Sequence, residues 1–340
     1  MMRRWLLAIV LLSGCAPRAG AATGWTRSTP GAGGAFTQAS ASGDTVWVAA
    51  DIAGFYRTLD GGKSWTATGL ATPVSGAAVA VKPGDGRRVV AGTEGSAGNP
   101  FRVSSNAADA VPKWTSPKAD AGWLNFITWG MGRRVWAVGR SAYGKAGTAR
   151  LWASSDDGAS WRTEGTAGFD ALVCPLKIVC HPTSDDVLYL ISGPDKFKRD
   201  GRKALFKSTD EGGHWKELGA DVLGGTIQDM ALDPASPNTL YATTGDVGTD
   251  RDQAYRSTDG GASWAPIGRK HTGNIAIVRG RVRLINVERP STWDKCGAAS
   301  ECGTWEWDGA RWTHLSDTSN WDTGWAGSVA WTFGANIYGR

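Results

Sequence analysis

Residues 58 to 65 read TLDGGKSW, and the pattern returns as SSDDGASW at 154 to 161, STDEGGHW at 208 to 215 and STDGGASW at 257 to 264. Each copy keeps a hydroxyl residue, an aspartate two positions on, a glycine two further and a closing tryptophan. This is the chemistry of a tight turn. Short Asp and Ser/Thr side chains bond nearby backbone amides, glycine supplies a positive φ, and the indole covers the hairpin. Asp60, Asp156, Asp210 and Asp259 are therefore read as structural. Two degenerate copies fill the gaps, VSSNAADAVPKW ending at Trp114 and EWDGARW ending at Trp312.

The closing tryptophans at 65, 114, 161, 215, 264 and 312 are spaced by 49, 47, 54, 49 and 48 residues. A fixed period of this size marks a chain of stacked repeats. Each repeat reads as four strands; in the first these are AFTQASA, VWVAAD, FYRTLD and SWTATG, separated by turn residues. Trp25 in GWTRST matches the same outer-strand position and makes a seventh repeat. No helix is expected after the N-terminal segment. The turn motif resembles the Asp box, or BNR repeat, which implies an all-β, seven-bladed β-propeller over residues 25–340, closed by pairing strands from the two termini. SVAWTFGANIYGR is expected to supply the innermost strand of the last blade, with either the natural chain continuing beyond Arg340 or the last blade being short.

The chain opens with MMRRWLLAIVLLSGCAPRAG: two arginines, an apolar run too short to span a bilayer, then small residues. Residues 1–14 are read as a signal peptide. Leu12-Ser13-Gly14-Cys15 resembles the bacterial lipobox, which implies an acylated Cys15, a flexible linker over 15–24, and an exported protein anchored to the membrane of the cell envelope; the other reading is an ordinary secretory signal with an incidental cysteine. Removing 1–14 leaves 326 residues, suited to one large all-β domain, expected to be monomeric. The formal charge of +5 includes Arg3 and Arg4, and both signs are scattered, so no nucleic-acid footprint is read. Cys296 and Cys302 bracket GAASE, a small-residue loop that can double back, and are expected to be bonded. Cys174 and Cys180 flank a strand whose length holds their sulfurs roughly 20 Å apart, and are expected to be free.

In this strand order the boxes join third to fourth strands at one rim. Loops joining second to third strands, and one repeat to the next, gather at the other: Asp51–Gly54, GTEGSAGNP, SAYGKAGTA, GPDKFKRDGRKA, GDVGTDRDQ and RPSTWDKCGAASECG. Function is expected there. Asp51-Ile52-Ala53-Gly54, with GAGGAF just before it, resembles the start of the xyloglucanase family of glycoside hydrolases, where an Asp-Ile-x-Gly motif in the first blade carries a catalytic carboxylate. Asp51 is the matching residue; the other reading is a structural aspartate bonding its own loop. That family uses two propellers facing across a cleft, whereas this chain has length for one. Glycoside hydrolysis needs two carboxylates, roughly 5 Å apart for retention and 6.5 to 9.5 Å for inversion, so the second is sought among Asp246, Asp250, Asp252, Asp195 and Glu94.

Aromatic faces that stack on sugar C–H faces are Trp123, Tyr143, Trp293, Trp321 and Trp325, read as lying in or beside these loops; packing between blades is the alternative for each. The basic run Asp195 to Lys203 is either a solvated loop or a contact for an anionic glycan or headgroup. His181, His214, His271 and His314 lack metal-ligand spacing, and His214 occupies the Ser/Thr place of a box. No Ser/His/Asp set, phosphate-binding glycine loop or CxxC is found, so neither metal nor cofactor is expected. The expected function is engagement of polysaccharide, with hydrolysis of β-glucan or xyloglucan-type bonds through Asp51 as its enzymatic form. The alternative is a non-catalytic envelope lipoprotein with a glycan or protein ligand, in the manner of sortilin-like receptors or lumenal photosystem assembly factors. A sialidase is disfavoured, because the Arg-Ile-Pro signature is absent.

Overall fold

The computed structural model describes residues 36–50, 54–68, 70, 76–93, 99–120, 122–142, 148–169, 174–193, 202–225, 227–245, 253–269, 273–278, 280–287, 303–316, 320–326 and 329–334. Among them there is no helix. The strands form seven antiparallel sheets, each a meander in chain order. Blade one is β1 (Phe36–Ser42), β2 (Thr45–Ala50), β3 (Gly54–Thr58) and β4 (Thr66–Ala67); blade two is β5 (Gly76–Lys82), β6 (Asp85–Thr93) and β7 (Phe101–Ser104). Blade three is β8 (Trp123–Trp129), β9 (Val135–Arg140), β10 (Ala149–Ser154) and β11 (Arg162–Glu164); blade four is β12 (Cys174–Cys180), β13 (Leu188–Gly193), β14 (Ala204–Ser208) and β15 (Lys216–Leu218). Blade five is β16 (Ile227–Leu232), β17 (Leu240–Thr244), β18 (Gln253–Ser257) and β19 (Ala265–Pro266); blade six is β20 (Asn274–Val278), β21 (Arg281–Val287), β22 (Gly303–Trp307) and β23 (Trp312–Ser316). Blade seven comprises β24 (Asn320–Ala326) and β25 (Val329–Gly334). The first strand of each sheet is innermost, and β24 packs beside both β20 and β1, which closes the ring. The molecule is a β-propeller.

The degenerate box of blade two has a structural counterpart: its fourth strand shrinks to one bridge, Val103 to Thr115. Blade seven differs from the sequence expectation. The innermost strand is β24, and VAWTFG forms the second strand, because two alternating segments pair with each other as Asn320–Ala326 and Val329–Gly334.

The four full boxes share one hydrogen-bond pattern. In blade one Thr58 Oγ1 accepts from Gly62 N at 2.9 Å and donates to Asp60 Oδ1 at 2.7 Å, while Asp60 accepts from Ser64 N at 2.9 Å and Ser64 Oγ at 2.6 Å. Asp156 and Asp259 repeat it. At Asp210 the hydroxyl is replaced by His214 Nδ1, 2.6 Å from Oδ2, so the histidine serves the turn. Even the degenerate copies keep an acceptor: Asn106 Oδ1 takes the amide of Lys113, and Asp308 Oδ1 those of Ala310 and Arg311.

The box tryptophan does more than cover its own hairpin. The described core consists of separate clusters, each holding one of these indoles; those of Trp114, Trp161, Trp215, Trp264 and Trp312 run along seams between blades, and that of Trp65 is described within blade one. Trp161 of blade three stacks on Phe101 of blade two, with ring centroids 3.8 Å apart and planes 5° from parallel. Trp114 meets Trp47 of blade one edge-on at 5.6 Å. The box glycine sits against the same seam. Gly158, Gly212 and Gly261 all have φ near +90°, and a Cβ on each would fall 2.6–2.8 Å from Val90, Leu151 and Leu218 of the preceding blade.

The residue before that glycine also has positive φ, although in two boxes it carries a side chain: Asp157 at 62° and Glu211 at 57°. Such residues are uncommon in the left-handed region. Here the conformation aims both carboxylates at cations of the preceding blade. Asp157, buried, meets Lys82 at 2.6 Å and Arg88 at 3.3 Å, with Arg133 of its own blade at 2.9 Å. Glu211 accepts a two-pronged pair from Arg134 at 2.6 and 2.8 Å.

Two predictions follow from the seams and boxes. Phe101→Ala removes a fully buried ring from the stack on Trp161 and should lower the unfolding free energy in urea by about 3–5 kcal/mol; Val111→Ala, at an 81 % exposed position, should stay within about 0.5 kcal/mol of the parent. Asp210, held by the His214 amide and ring and by Ser208, has its pKa lowered from 3.8 to about 2. The folded state binds that proton more weakly than the unfolded chain, so the stabilisation is complete above about pH 4 and is lost as pH falls through about 2. Melting temperature should therefore fall between those values less steeply in Asp210→Asn than in the parent protein.

Candidate ligand-binding rim

The hairpins between first and second strands, and the Asp boxes, close at one rim; connections between second and third strands open at the other. Every carboxylate held below its ordinary range among the described residues, from Asp60 to Asp308, lies at the Asp-box rim, where hydrogen bonds or cations surround it. The candidate site is the opposite rim. Asp51, Glu94, Tyr143, Asp195, Asp246, Asp250, Asp252, Trp293, Cys296 and Cys302 belong to its connections and lie outside the described residues, as does Cys15.

What is described is how these connections are rooted. In blade one the residues flanking Asp51, Ile52 and Ala53 are Ala50 and Gly54, paired with each other across β2 and β3, with Gly54 at φ +79°. Among the second-to-third-strand connections of blades one to six this is the shortest. The longer ones in blades two to five are each clasped at the base by a hydroxyl. Thr93 Oγ1 donates to Pro100 O at 3.2 Å. Ser141 Oγ accepts from Thr148 N at 3.0 Å, Ser192 Oγ donates to Arg202 O at 2.7 Å, and Thr244 Oγ1 accepts from Gln253 N at 3.1 Å. A Ser or Thr at the end of each second strand was the signal in the sequence, and the motif reading passed over it.

Trp123 begins β8 and pairs with Arg140 at this rim, half-buried. Gly139 allows that approach, since a Cβ there would lie 1.9 Å from Trp123 O. Trp321 and Trp325 fall in a strand. Trp321 is the second residue of β24, near the loop rim, but Trp325 pairs with Ala330 at the closed end of the β24–β25 hairpin, the Asp-box end. The displacement has the same cause as the shifted seventh blade: NWDTGWA is an inner strand.

Sequence reasoning also missed the belt around the channel. Each innermost strand is paired on one side only, so its other edge presents bare backbone groups toward the axis. Polar side chains of neighbouring inner strands take them up. Gln38, buried, accepts from Val79 N at 3.3 Å and Ile127 N at 3.2 Å and donates to Ile127 O at 2.7 Å. Ser40 Oγ accepts from Val81 N at 2.9 Å, and Asn125 Nδ2 donates to Pro175 O at 2.6 Å. Lys177 Nζ reaches Asp229 Oδ1 at 2.6 Å and Met230 O at 3.3 Å, and Asp229 also accepts from Met230 N at 2.8 Å and Ile275 N at 3.0 Å. Asp229 thus ties blades four, five and six. Its oxygens are committed to three donors, which makes it a structural carboxylate.

The belt residues are set by a shared irregularity. In six of the seven blades the first pair of strands carries a bulge near the start of the inner strand: Phe36/Gln38, Gly76/Ala78, Leu124/Phe126, Pro175/Lys177, Ile227/Asp229 and Asn320/Asp322. A bulge adds one unpaired residue and re-aims the side chains around it. The extra residues, Thr37, Ala77, Asn125, Leu176, Gln228 and Trp321, recur at the loop end of their strands. Cys174 and Cys180, at the two ends of β12, are free thiols. Among the described residues no cluster of His, Cys, Asp and Glu is placed to hold a metal.

The candidate site is thus the loop rim of a β-propeller. In fold the chain is similar to the GH74 enzyme of Niastella koreensis (TM-score 0.61, 13% identity, covering 85% of this chain and 48% of that one). It is similar also to an ancestral GH74 enzyme (0.60, 22%, 89% and 40%) and to YCF48 from Cyanidioschyzon merolae (0.50, 15%, 73% and 79%). The chain spans under half the length of these GH74 chains. A family model described as Sortilin-Vps10, "Sortilin, neurotensin receptor 3", matches residues 149–284. No curated protein matches the chain.

The belt predicts an order of costs. Asp229→Ala strands Lys177 and two backbone amides, each about 1–3 kcal/mol when left unmet, and should destabilise more in urea than Lys177→Met, which leaves both amides bonded.

Proposed function

We propose that the protein is an exported, lipid-anchored propeller that engages polysaccharide across its loop rim and cleaves a β-glucan of the xyloglucan type with Asp51 as one carboxylate. The observation that carries this reading is the position of Asp-Ile-Ala-Gly in the chain. It occupies the shortest of the second-to-third-strand connections in blades one to six, between paired Ala50 and Gly54, in a fold like that of GH74 enzymes. A short connection over a paired base suits a carboxylate that must be held in fixed geometry. The partner carboxylate is sought among Glu94, Asp195, Asp246, Asp250 and Asp252, whose loops open on the same rim. Its distance from Asp51 decides retention or inversion. Cys15 supplies the anchor.

A second reading, a non-catalytic binding lipoprotein, is favoured by one observation: the chain covers 79% of YCF48 against 48% of the GH74 enzyme.

The test is release of reducing ends from xyloglucan and other β-glucans by the mature protein and by Asp51→Asn. Hydrolysis that falls at least about 100-fold in the variant establishes Asp51 as catalytic. Retention of polysaccharide without hydrolysis selects the binding reading, and neither activity overturns both as glycan functions. Cys15→Ala should move the protein from the membrane fraction to the soluble one; an unchanged distribution rules out the anchor.

A further inference from the structure

We infer that the mouth of the central channel at blades three to five binds a neutral glycan strand, with Leu176 and Gln228 as its contact residues. The inference rests on the polysaccharide reading and places part of the ligand on the inner strands, in addition to the loops.

Three consecutive inner strands, β8, β12 and β16, bulge at the same level and place Asn125, Leu176 and Gln228 as the extra residues. Leu176 is one of four large apolar side chains exposed among the described residues, at 38%, and the other three, Leu59, Val111 and Met131, lie at the Asp-box end. It rests over the backbone of Gly193, where a Cβ would fall 2.4 Å from its Cδ1. Gln228 is exposed, and its amide has no protein partner among the described residues. Asn125 spends its Nδ2 on Pro175 O and leaves its Oδ1 without a protein partner there. An apolar face between two amides matches a sugar ring, which offers C–H surface and hydroxyls that both donate and accept.

The charge beside this surface is already neutralised. Lys177, next to Leu176, is paired with Asp229, so among the described residues of these bulges no free cation selects an anionic ligand. A peptide adding as a strand needs bare backbone groups, and along this stretch Pro175 O, Met230 N, Met230 O and Ile275 N are taken by side chains. The chemistry left open is that of a neutral, hydroxylated chain.

The experiment is affinity electrophoresis in xyloglucan and in mixed-linkage β-glucan, run in the Asp51→Asn background so that the polymer stays intact. Three changes are compared: Gln228→Ala, Leu176→Ser, and Gly193→Ala, which displaces Leu176 without removing a contact. Each is accompanied by its urea midpoint, and a variant with an altered midpoint is judged by the other two. Retention weakened about tenfold, the loss of one good contact, in variants of parental stability supports the site. Parental retention in all three overturns the mouth site while leaving the polysaccharide reading standing. Absence of retention in the parent overturns that reading and the mouth site with it. Retention of an unglycosylated extended peptide that competes with glycan and is lost in Gln228→Ala overturns the assignment to sugar.

Discussion

The structure depends on the contact between a box tryptophan and the blade before it. A four-stranded sheet has two faces to bury and too little of its own to bury them with. In blades three to five the Asp box answers this by turning the chain so tightly that its glycine and its indole both reach the preceding sheet. Phe101 against Trp161, and Leu151 against Gly212, are two instances of one geometry. The cooperative unit is therefore the seam, with half its atoms from each neighbour. A blade cut out alone would keep its hydrogen bonds and lose its core.

The two rims divide the work. At the Asp-box rim, carboxylates are saturated by amides, hydroxyls and arginines, and their ionisation is shifted to match. Displaced pKa values often point to catalytic groups, but in this molecule they mark the turns that lock blades together. Asp157 and Glu211 extend the same logic, holding a backbone conformation unfavourable for their residue types while reaching cations across the seam. At the loop rim the described carboxylates Asp120 and Glu217 are paired with Arg150 and Arg202, and the belt below it satisfies the inner edges before any ligand arrives.

Much of this architecture could be read from residue order because it rests on local chemistry. The Ser-x-Asp-x-Gly turns, the tryptophan period and the strand alternation each involve residues within one hairpin, and their recurrence multiplies the signal. His214 could be assigned to its turn for the same reason, and Cys174 and Cys180 to opposite strand ends. What escaped reading is what joins residues far apart in the chain. Gln38 reaches Ile127, and nothing near Gln38 announces it. The inner-strand bulges are set by pairing register, which composition does not encode. The seventh blade was displaced by one strand because its two segments alternate equally well, and only packing of β24 between β20 and β1 distinguishes them. Asp51 is legible as a motif, whereas the second carboxylate that hydrolysis would need has no local signature in the sequence.

The hydroxyl clasps at Thr93, Ser141, Ser192 and Thr244 have a consequence for how such a molecule changes over time. Each pins the two ends of a rim loop with a bond that does not involve the loop's own interior. Length and composition above the pin are thereby uncoupled from the sheet beneath it, since the loop's entry and exit stay fixed whatever lies between. A loop can be lengthened, recharged or exchanged with that of another blade while the ring registers no difference. The propeller carries, in effect, a set of interchangeable sockets, and new specificity can be acquired one socket at a time.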